Sequence, residues 1–439
     1  MVDVRPFRAV RYNTRRFGSD LSSLICPPYD VIPPAQDAAL RERSAQNMIR
    51  LELPAADSAR GDRYQSAARQ YREWLANETL AVDVEPSLYA YLQSFVQDGV
   101  PGVRRGMIAA LRLAPWDANE VRPHERTHAG PKQDRLALIQ ACRANFSPIW
   151  CLYDDSTGAT DRLWDWIGDR PADVRATDDD GVVHQIWRVS EPSVVRDVQD
   201  SLAQGPAYIA DGHHRYETAL HYRDEAREEA ANPSDDAAWN FALTYLVEAS
   251  DPGLVVLGTH RIISGAAARE IDGDSLRRSL NEAFDLTAFE GSATDLLAKV
   301  DAGDGRPSFG IWAPSRGLKA IAQLRAGDIV PEEAAPGHSP AWRKLDLAAL
   351  HALAIDRLFP RGSATLFADG QLEYTRDIRD VERADPAAIS FLARTTPVQQ
   401  VMAVADAGDR MPEKSTYFYP KPASGLVIAQ CDEILPARV

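Results

Sequence analysis

Cysteine, lysine and long apolar runs are all scarce in this sequence of 439 residues. Its four cysteines, Cys26, Cys142, Cys151 and Cys431, show no CxxC spacing and are too few for a disulfide framework, which is typical of a reducing compartment. No stretch reaches the roughly 20 apolar residues that a membrane helix needs, and the first residues lack the apolar core of a signal peptide. We therefore expect a soluble, cytoplasmic protein.

Positive charge is also in short supply, because 49 Lys and Arg residues stand against 64 Asp and Glu residues, a formal net charge of -15. Nucleic acids and anionic membrane surfaces are bound mainly through Lys and Arg. We therefore expect neither of them as a partner, and expect small-molecule ligands instead.

Common nucleotide and nucleophile motifs are missing. The sequence contains no GxxxxGK[ST] phosphate loop, no GxGxxG dinucleotide turn, no protein-kinase signature set and no GxSxG nucleophile elbow. Nucleotide chemistry in this chain therefore needs a less common phosphate-binding element.

Twenty-nine prolines cut the chain into short elements. Apolar residues at helical spacing predict helices over 62–80, 341–358 and 398–405. Two β-hairpins are predicted, at 88–96 with 105–113 and at 174–177 with 182–189. This mixture predicts an α+β fold of mixed sheets with hairpins and packed helices. We place a domain boundary in the candidate linker at 263–273, giving regions 1–265 and 266–439 that work as one integrated unit.

The most informative segment is 210–219, with the sequence ADGHHRYETA. A predicted strand ends at Asp211-Gly212 and passes directly into a helix, whose first amides and dipole form an anion site. His213, His214 and Arg215 add donors there, so phosphate binding is predicted, and Asp211 either caps the helix or holds a magnesium ion. The alternative is a polar helix start with both histidines in solvent.

A second polar segment, at 122–131, matches the HExxH pattern of zinc proteases through His124, Glu125 and His128. We disfavour that interpretation, because Pro123 precedes the pattern and Gly130-Pro131 is expected to stop any helix there. His124 remains a candidate substrate-binding residue, and Glu125 a candidate general base.

Two of the six lysines in the chain, Lys414 and Lys421, fall in the turn-rich segment 411–422. We predict that they bind phosphate as point charges, with Ser415 and Thr416 as further donors to the substrate. A solvated loop before an edge strand is the alternative. Asp30, in the proline-rich segment 26–32, is a candidate to accept a proton or bind a cation, unless it only caps the next helix.

Five segments of the sequence, four of them described above, together resemble a family. PPYDVI at 27–32, NMIRLEL at 47–53, HERT at 124–127, DGHHRYETA at 211–219 and KSTYFYPKPASG at 414–425 together resemble the prokaryotic family called domain of unknown function 1015. More distantly, the strand, turn and helix at 207–219 resemble the phosphate-binding element of the ParB and sulfiredoxin superfamily, which includes a free L-serine kinase. This resemblance implies that Asp211 contacts metal or nucleotide, and that His213, His214 and Arg215 contact phosphate.

The leading hypothesis is a small-molecule kinase of serine metabolism, which phosphorylates the hydroxyl of free L-serine with ATP or ADP and Mg²⁺. Glu125, Asp211 and His214 are then the expected catalytic residues. Gly212, Arg215, Lys414 and Lys421 are expected to hold the nucleotide phosphates. Two alternatives are a non-catalytic nucleotide-binding regulatory protein and a metal-dependent hydrolase built on the histidines.

Overall fold

The computed structural model describes residues 1–55, 62–127, 129–325 and 327–438. The chain divides into two compact units. Unit 1 consists of Met1–Pro123, Thr127–Leu254 and Pro420–Val439, and unit 2 consists of His124–Arg126 and Val255–Tyr419. The domain boundary proposed from the sequence at residue 265 stays a prediction.

Unit 1 is built on a mixed sheet with packed helices. The sheet path runs in the order Val121–Arg122, Ala207–Asp211, Ile149–Tyr153, Phe241–Glu248, Val100–Arg112, Leu88–Gln97, Val183–Val189 and Val174–Thr177, with Val4–Arg5 beside Val100–Arg112. Two short pairs stand apart from it, Val10–Tyr12 with Leu80–Val82 and Ala144–Asn145 with Ala429–Gln430. The main helices are Pro34–Arg43, Arg63–Ala76, Ala129–Cys142, Ala159–Ile167, Pro192–Leu202 and His213–Glu229. Apolar side chains of strands and helices form one buried core.

Both predicted hairpins are confirmed. The strands Leu88–Gln97 and Val100–Arg112 pair antiparallel around Asp98 and Gly99, which both have positive φ angles. The second strand begins at Val100 rather than at residue 105, because pairing continues to the turn itself. In the other hairpin, Val183 pairs with Thr177 across the acidic turn at 178–181.

Unit 2 contains a six-stranded antiparallel sheet. Its order is Phe284–Ala288, Leu318–Leu324, Ser308–Ala313, Ile389–Leu392, His260–Ile263 and Leu372–Thr375. A separate pair joins Val255–Leu257 to Tyr417–Tyr419. The helices include Gly273–Asn281, Ala293–Asp301, Gly362–Ala368, Ile378–Arg383 and Val398–Asp406. Because packed helices accompany a mixed sheet in unit 1 and an antiparallel sheet in unit 2, the predicted α+β class is confirmed.

The helix predicted over 341–358 is confirmed from Asp346 to Leu358, as Asp346–Leu350, a π-helical turn at His351–Ile355 and Asp356–Leu358. It is wrong before Leu345, because Pro340–Arg343 is a separate short helix. Leu345 is extended, with ψ of 140°, so the first helix ends before it. Asp346 follows at the start of the next helix, where it accepts a hydrogen bond from the Ser308 amide at 2.9 Å and pairs with Arg394. These tertiary contacts fix the break, and periodicity alone does not show them.

The expectation that Gly130-Pro131 stops a helix is also wrong, because the helix Ala129–Cys142 begins there. Proline is tolerated in the first turn of a helix, where its missing N–H has no partner to lose. His124, Glu125 and Arg126 lie outside any helix. His128 lies outside the described residues.

All four cysteines are buried and none forms a disulfide. Among the described residues, no helix is long and apolar enough to cross a membrane.

Candidate functional site

The strand, turn and helix predicted at 207–219 are present in unit 1. Ala207–Asp211 is a strand with four buried residues before Asp211, and the helix His213–Glu229 follows after one residue. That residue, Gly212, has a φ of 96°, which favours glycine. A Cβ atom on Gly212 would also lie 3.0 Å from Nε of Arg215. The turn therefore requires glycine for both its backbone angle and its close approach to Arg215.

The beginning of this helix is suited to binding an anion. Its N-cap residue, Gly212, has no side chain that could cap it, and its first turn contains no acidic residue. The positive end of the helix dipole lies at this turn, where the first backbone amides have no partner within the helix. His213 is buried and His214 is half-buried.

Two cations converge on Asp211. Nζ of Lys421 lies 2.7 Å from Oδ1 of Asp211, and the guanidinium of Arg215 pairs with Oδ2. The same Lys421 atom lies 2.7 Å from Oδ2 of Asp30. Arg215 is held in place by a second contact, because it also donates a hydrogen bond to the backbone carbonyl of Pro148. Asp30, Asp211, Arg215 and Lys421 therefore form one ion-pair network, which we call the Asp211 network.

The electrostatics of this network follow from burial and charge. Burial by itself raises the pKa of Asp211, but the charges of Lys421 and Arg215 outweigh it and lower the pKa to about 2. Burial lowers the pKa of Arg215, whereas Asp211 and Asp30 raise it above its ordinary value. Asp211 and Arg215 are therefore both charged at neutral pH.

A second group of buried charges adjoins the network and was missed by sequence reasoning. Glu52 is 1% exposed, accepts a hydrogen bond from the Ser147 hydroxyl at 2.9 Å, and lies 3.8 Å from Nη1 of Arg135. The guanidinium of Arg135 stacks over the ring of Tyr29, the residue before Asp30, at 4.2 Å. The only signal in the sequence was an acidic residue, Glu52, directly between two leucines.

A small cavity lies between these buried charges and Arg215 of the Asp211 network. It has a volume of about 40 Å³, and its lining includes Glu52, Arg135, Ser147 and Arg215. A space of this size accommodates a water molecule or two. Burial raises the pKa of the nearby Tyr29 hydroxyl to about 12, and the positive charge of Arg215 offsets only part of this increase.

The other predicted site residues lie in unit 2. Nε2 of His124 lies 2.9 Å from the hydroxyl of Thr416, and the carbonyl of His124 accepts from the amide of Met411 at 2.8 Å. Ser415 is buried and donates to the carbonyl of Pro412. Lys414 is exposed, with a φ of 52°. The structure thus separates the two lysines of the segment 411–422 into different units, and Lys421 alone belongs to the Asp211 network.

The donor set bears on the predicted magnesium site. In the part of the chain that the structure describes, no group of three His, Cys, Asp or Glu side chains is placed to hold a metal ion. Asp30 and Asp211 nevertheless share one lysine, so two carboxylates face a common point. Magnesium is commonly held by one or two carboxylates together with nucleotide phosphates. The residues therefore fit an ion that arrives with a nucleotide, with Asp211 and Asp30 as its ligands.

Comparison with family models gives the family. The model for the family described as a protein of unknown function, domain of unknown function 1015, matches residues 4–348. The chain belongs to this family. A search of the curated proteins finds no match.

Solved structures with a similar chain course are distant. A free serine kinase mutant in complex with ADP is 10% identical, and the match covers 77% of this chain and 95% of that one, with a TM-score of 0.38. SbnI with a C-terminal truncation, from Staphylococcus aureus, is 9% identical over 73% and 86%, with a TM-score of 0.36. A conserved hypothetical protein from Pyrococcus furiosus is 11% identical over 74% and 95%, with a TM-score of 0.35.

Proposed function

We propose that the Asp211 network and the adjoining helix start bind the phosphate groups of a nucleotide, and that the chain is a small-molecule kinase. The proposed reaction transfers a phosphoryl group from ATP or ADP to the hydroxyl of free L-serine, giving O-phosphoserine. The observation that supports it is the convergence of Arg215 and Lys421 on Asp211 at the start of the helix His213–Glu229. Backbone amides, a helix dipole and two fixed cations form the usual environment of a bound phosphate.

The charge balance of the network explains how it accepts a phosphate. Two carboxylates and two cations neutralise one another in the absence of ligand. A phosphate that takes over Arg215 and Lys421 releases Asp30 and Asp211, and these carboxylates then become ligands for a magnesium ion brought by the nucleotide. When bound, that ion neutralises negative charge on the phosphate oxygens.

The proposed transfer breaks the bond between the terminal phosphorus of the donor and its bridging oxygen, and forms a bond from that phosphorus to the serine oxygen. Arg215 and Lys421 stabilise the charge that develops on the phosphoryl oxygens. The hydroxyl proton of serine passes to a general base, for which the sequence proposes Glu125. Glu125 belongs to unit 2 and His214 to unit 1, so their catalytic roles remain proposals from the sequence.

Product formation tests this function directly. Purified protein is incubated with L-serine, MgCl₂ and either ATP or ADP, and O-phosphoserine is followed by mass spectrometry. We expect product with at least one nucleotide, and loss of product in Arg215→Lys, which keeps the charge but not the two-sided contacts to Asp211 and Pro148. Arg227→Ala is the matched control, because Arg227 lies on the same helix and pairs at the surface with Asp235.

The outcomes separate the alternatives. Nucleotide binding without any product favours the regulatory protein over the kinase. A lack of binding to either nucleotide contradicts both. Stoichiometric zinc in the purified protein supports the metal-dependent hydrolase.

A further inference from the structure

Lys421 stands between two prolines, Pro420 and Pro422. Proline restricts its own backbone and disfavours helical conformation in the residue before it, so this segment favours extended backbone. Three hydrogen bonds hold it through the carbonyls of Pro420 and Lys421 and the amide of Ala423. The hydrogen-bond partners of those groups fix the backbone position from which the Lys421 side chain extends.

The carbonyls are fixed by two fully buried side chains of the central hairpin. Gln93 donates to the carbonyl of Lys421 at 3.2 Å, and Arg104 donates both to the carbonyl of Pro420 and to the side chain of Gln93. Gln93 and Arg104 pair directly across the hairpin, and both are 0% exposed. One side of the Lys421 segment is therefore bound to fully buried side chains of the sheet in unit 1.

The amide of Ala423 begins a chain of buried hydrogen bonds. It donates to the hydroxyl of Tyr91 at 3.2 Å, and that hydroxyl lies 2.7 Å from Nδ1 of His184. Nε2 of His184 lies 3.1 Å from Oδ2 of Asp178. Tyr91 and His184 are fully buried.

One assignment of protons gives every hydrogen bond of this series a donor and an acceptor. The Tyr91 oxygen accepts from the amide, so its own proton points to Nδ1 of His184, and Nε2 then carries the imidazole proton toward the carboxylate of Asp178. Burial raises the pKa of Tyr91 well above its ordinary value, so its hydroxyl keeps the proton needed for this role. Asp178 is fixed in turn, because its other oxygen accepts from the amides of Asp180 and Val182.

We propose that Tyr91, His184 and Asp178 are positioning residues, which hold the Lys421 segment so that its ammonium group sits between Asp30 and Asp211. The relevance to phosphate binding rests on the proposed function, whereas the positioning itself does not. A shift of about 1 Å at Ala423 would lengthen both 2.7 Å contacts of Lys421, and displacements of that size are costly in binding sites.

The first test measures the position of Lys421 without a ligand. The protein is treated briefly with acetic anhydride, and acetylation of each of the six lysines is followed by mass spectrometry. Lys421 is expected to react slowly, since its side chain is 9% exposed and paired with two carboxylates. In Tyr91→Phe, its rate is expected to rise by about fivefold to tenfold, the equivalent of one lost buried hydrogen bond.

The chain offers a matched control in Tyr89→Phe. Tyr89 lies on the same strand, is equally buried, and its hydroxyl likewise accepts from a backbone amide, that of Ala9 at 2.9 Å. We expect this variant to leave Lys421 as protected as in the natural protein. An unchanged rate in Tyr91→Phe, or an equal rise in both variants, would overturn the proposal.

Two further measurements separate positioning from general stability. Nitrogen NMR of His184 is expected to show the proton on Nε2, and a proton on Nδ1 would contradict the chain. Calorimetry with MgADP is then run on a double-mutant cycle of Tyr91→Phe and Lys421→Met. Tyr91→Phe is expected to weaken binding about fivefold to tenfold in the natural background and to have no effect once Lys421 is gone. An equal effect in both backgrounds would show that Tyr91 does not act through Lys421. If the natural protein binds no nucleotide, the proposed function fails, while acetylation still decides the positioning.

Discussion

Nζ of Lys421 lies 2.7 Å from Oδ1 of Asp211 and at the same distance from Oδ2 of Asp30. Three segments that are far apart in the sequence, 27–32, 211–219 and 414–425, therefore meet at one ammonium group. Each of them was singled out by its composition, but the contact assigns them to one site. Lys421 thus has a defined place in unit 1, beside the turn at Asp211 and Gly212.

Lys421→Met should remove one of two cations at the turn while keeping the length of the side chain. We expect the affinity for MgADP to fall by about tenfold to a hundredfold, which corresponds to the loss of one charged hydrogen bond to phosphate. Calorimetry measures the change. Lys299→Met is the control, because Lys299 is exposed in unit 2, and its affinity should match that of the natural protein. An unchanged affinity in Lys421→Met would remove this lysine from the site.

The contribution of Asp211 to the free energy of unfolding should depend on pH. Its pKa is lowered from 3.8 to about 2, so its ion pairs stabilise the folded state above pH 4, and this stabilisation is lost as the pH falls through 2. The contribution is on the order of 2 kcal/mol. In urea unfolding, the gap between the natural protein and Asp211→Asn should therefore be large at pH 7 and should shrink between pH 4 and pH 2.

The matched control for this titration is Asp224→Asn. Asp224 is exposed on the same helix and pairs with its neighbour Arg223 at the surface, where an ion pair contributes little. Its gap from the natural protein should stay near zero at every pH. A gap for Asp211→Asn that does not change with pH would contradict the buried ion-pair network.

Gly212→Ala should damage both the backbone and the site. A φ of 96° strains any residue with a Cβ atom, at a cost of about 1 to 2 kcal/mol, and the new atom would press on Arg215. Gly99→Ala imposes similar strain at a φ of 79°, but its Cβ would meet nothing within 4 Å. Both variants should therefore lose stability in urea unfolding, and Gly212→Ala alone should lose affinity for MgADP. Equal affinities in the two variants would contradict the role of this turn.

Local features of the fold and site were predictable from the sequence, because their causes are local. Glycine at a strand end, followed by a helix with polar first residues, is enough to predict the turn at Asp211 and Gly212. The two hairpins likewise follow from alternation and turn residues. The ion pair between Asp30 and Lys421 was not predictable in this way, because no local pattern relates residues so far apart in the sequence.

Two errors have the same physical origin. The break at Leu345 depends on contacts of Asp346 with Ser308 and Arg394, which belong to distant segments. Glu52 was passed over because an acidic residue between two leucines gives no sign of its partner, and Arg135 lies far from it in the sequence. In both cases the partner of a buried charge lies in a distant segment, and only the tertiary fold brings the two together.

Glu52→Gln should test the buried charges beside the turn. The amide keeps an acceptor for the hydroxyl of Ser147 but removes the charge that faces Arg135, so we expect a loss of about 2 kcal/mol in the free energy of unfolding. Glu42→Gln, at an exposed position of the helix Pro34–Arg43, should change it by less than about 0.5 kcal/mol. Urea titration compares the two, and a similar small change in both would mean that Glu52 is not a charged partner of Arg135.

A crystal structure of the protein with MgADP tests most directly whether phosphate binds at the turn formed by Asp211 and Gly212. We expect phosphate oxygens within hydrogen-bond distance of Arg215, of Lys421 and of the first amides of the helix His213–Glu229, with Asp30 and Asp211 released from Lys421. A nucleotide whose phosphates lie away from this turn, with the four side chains still paired as they are here, would contradict it.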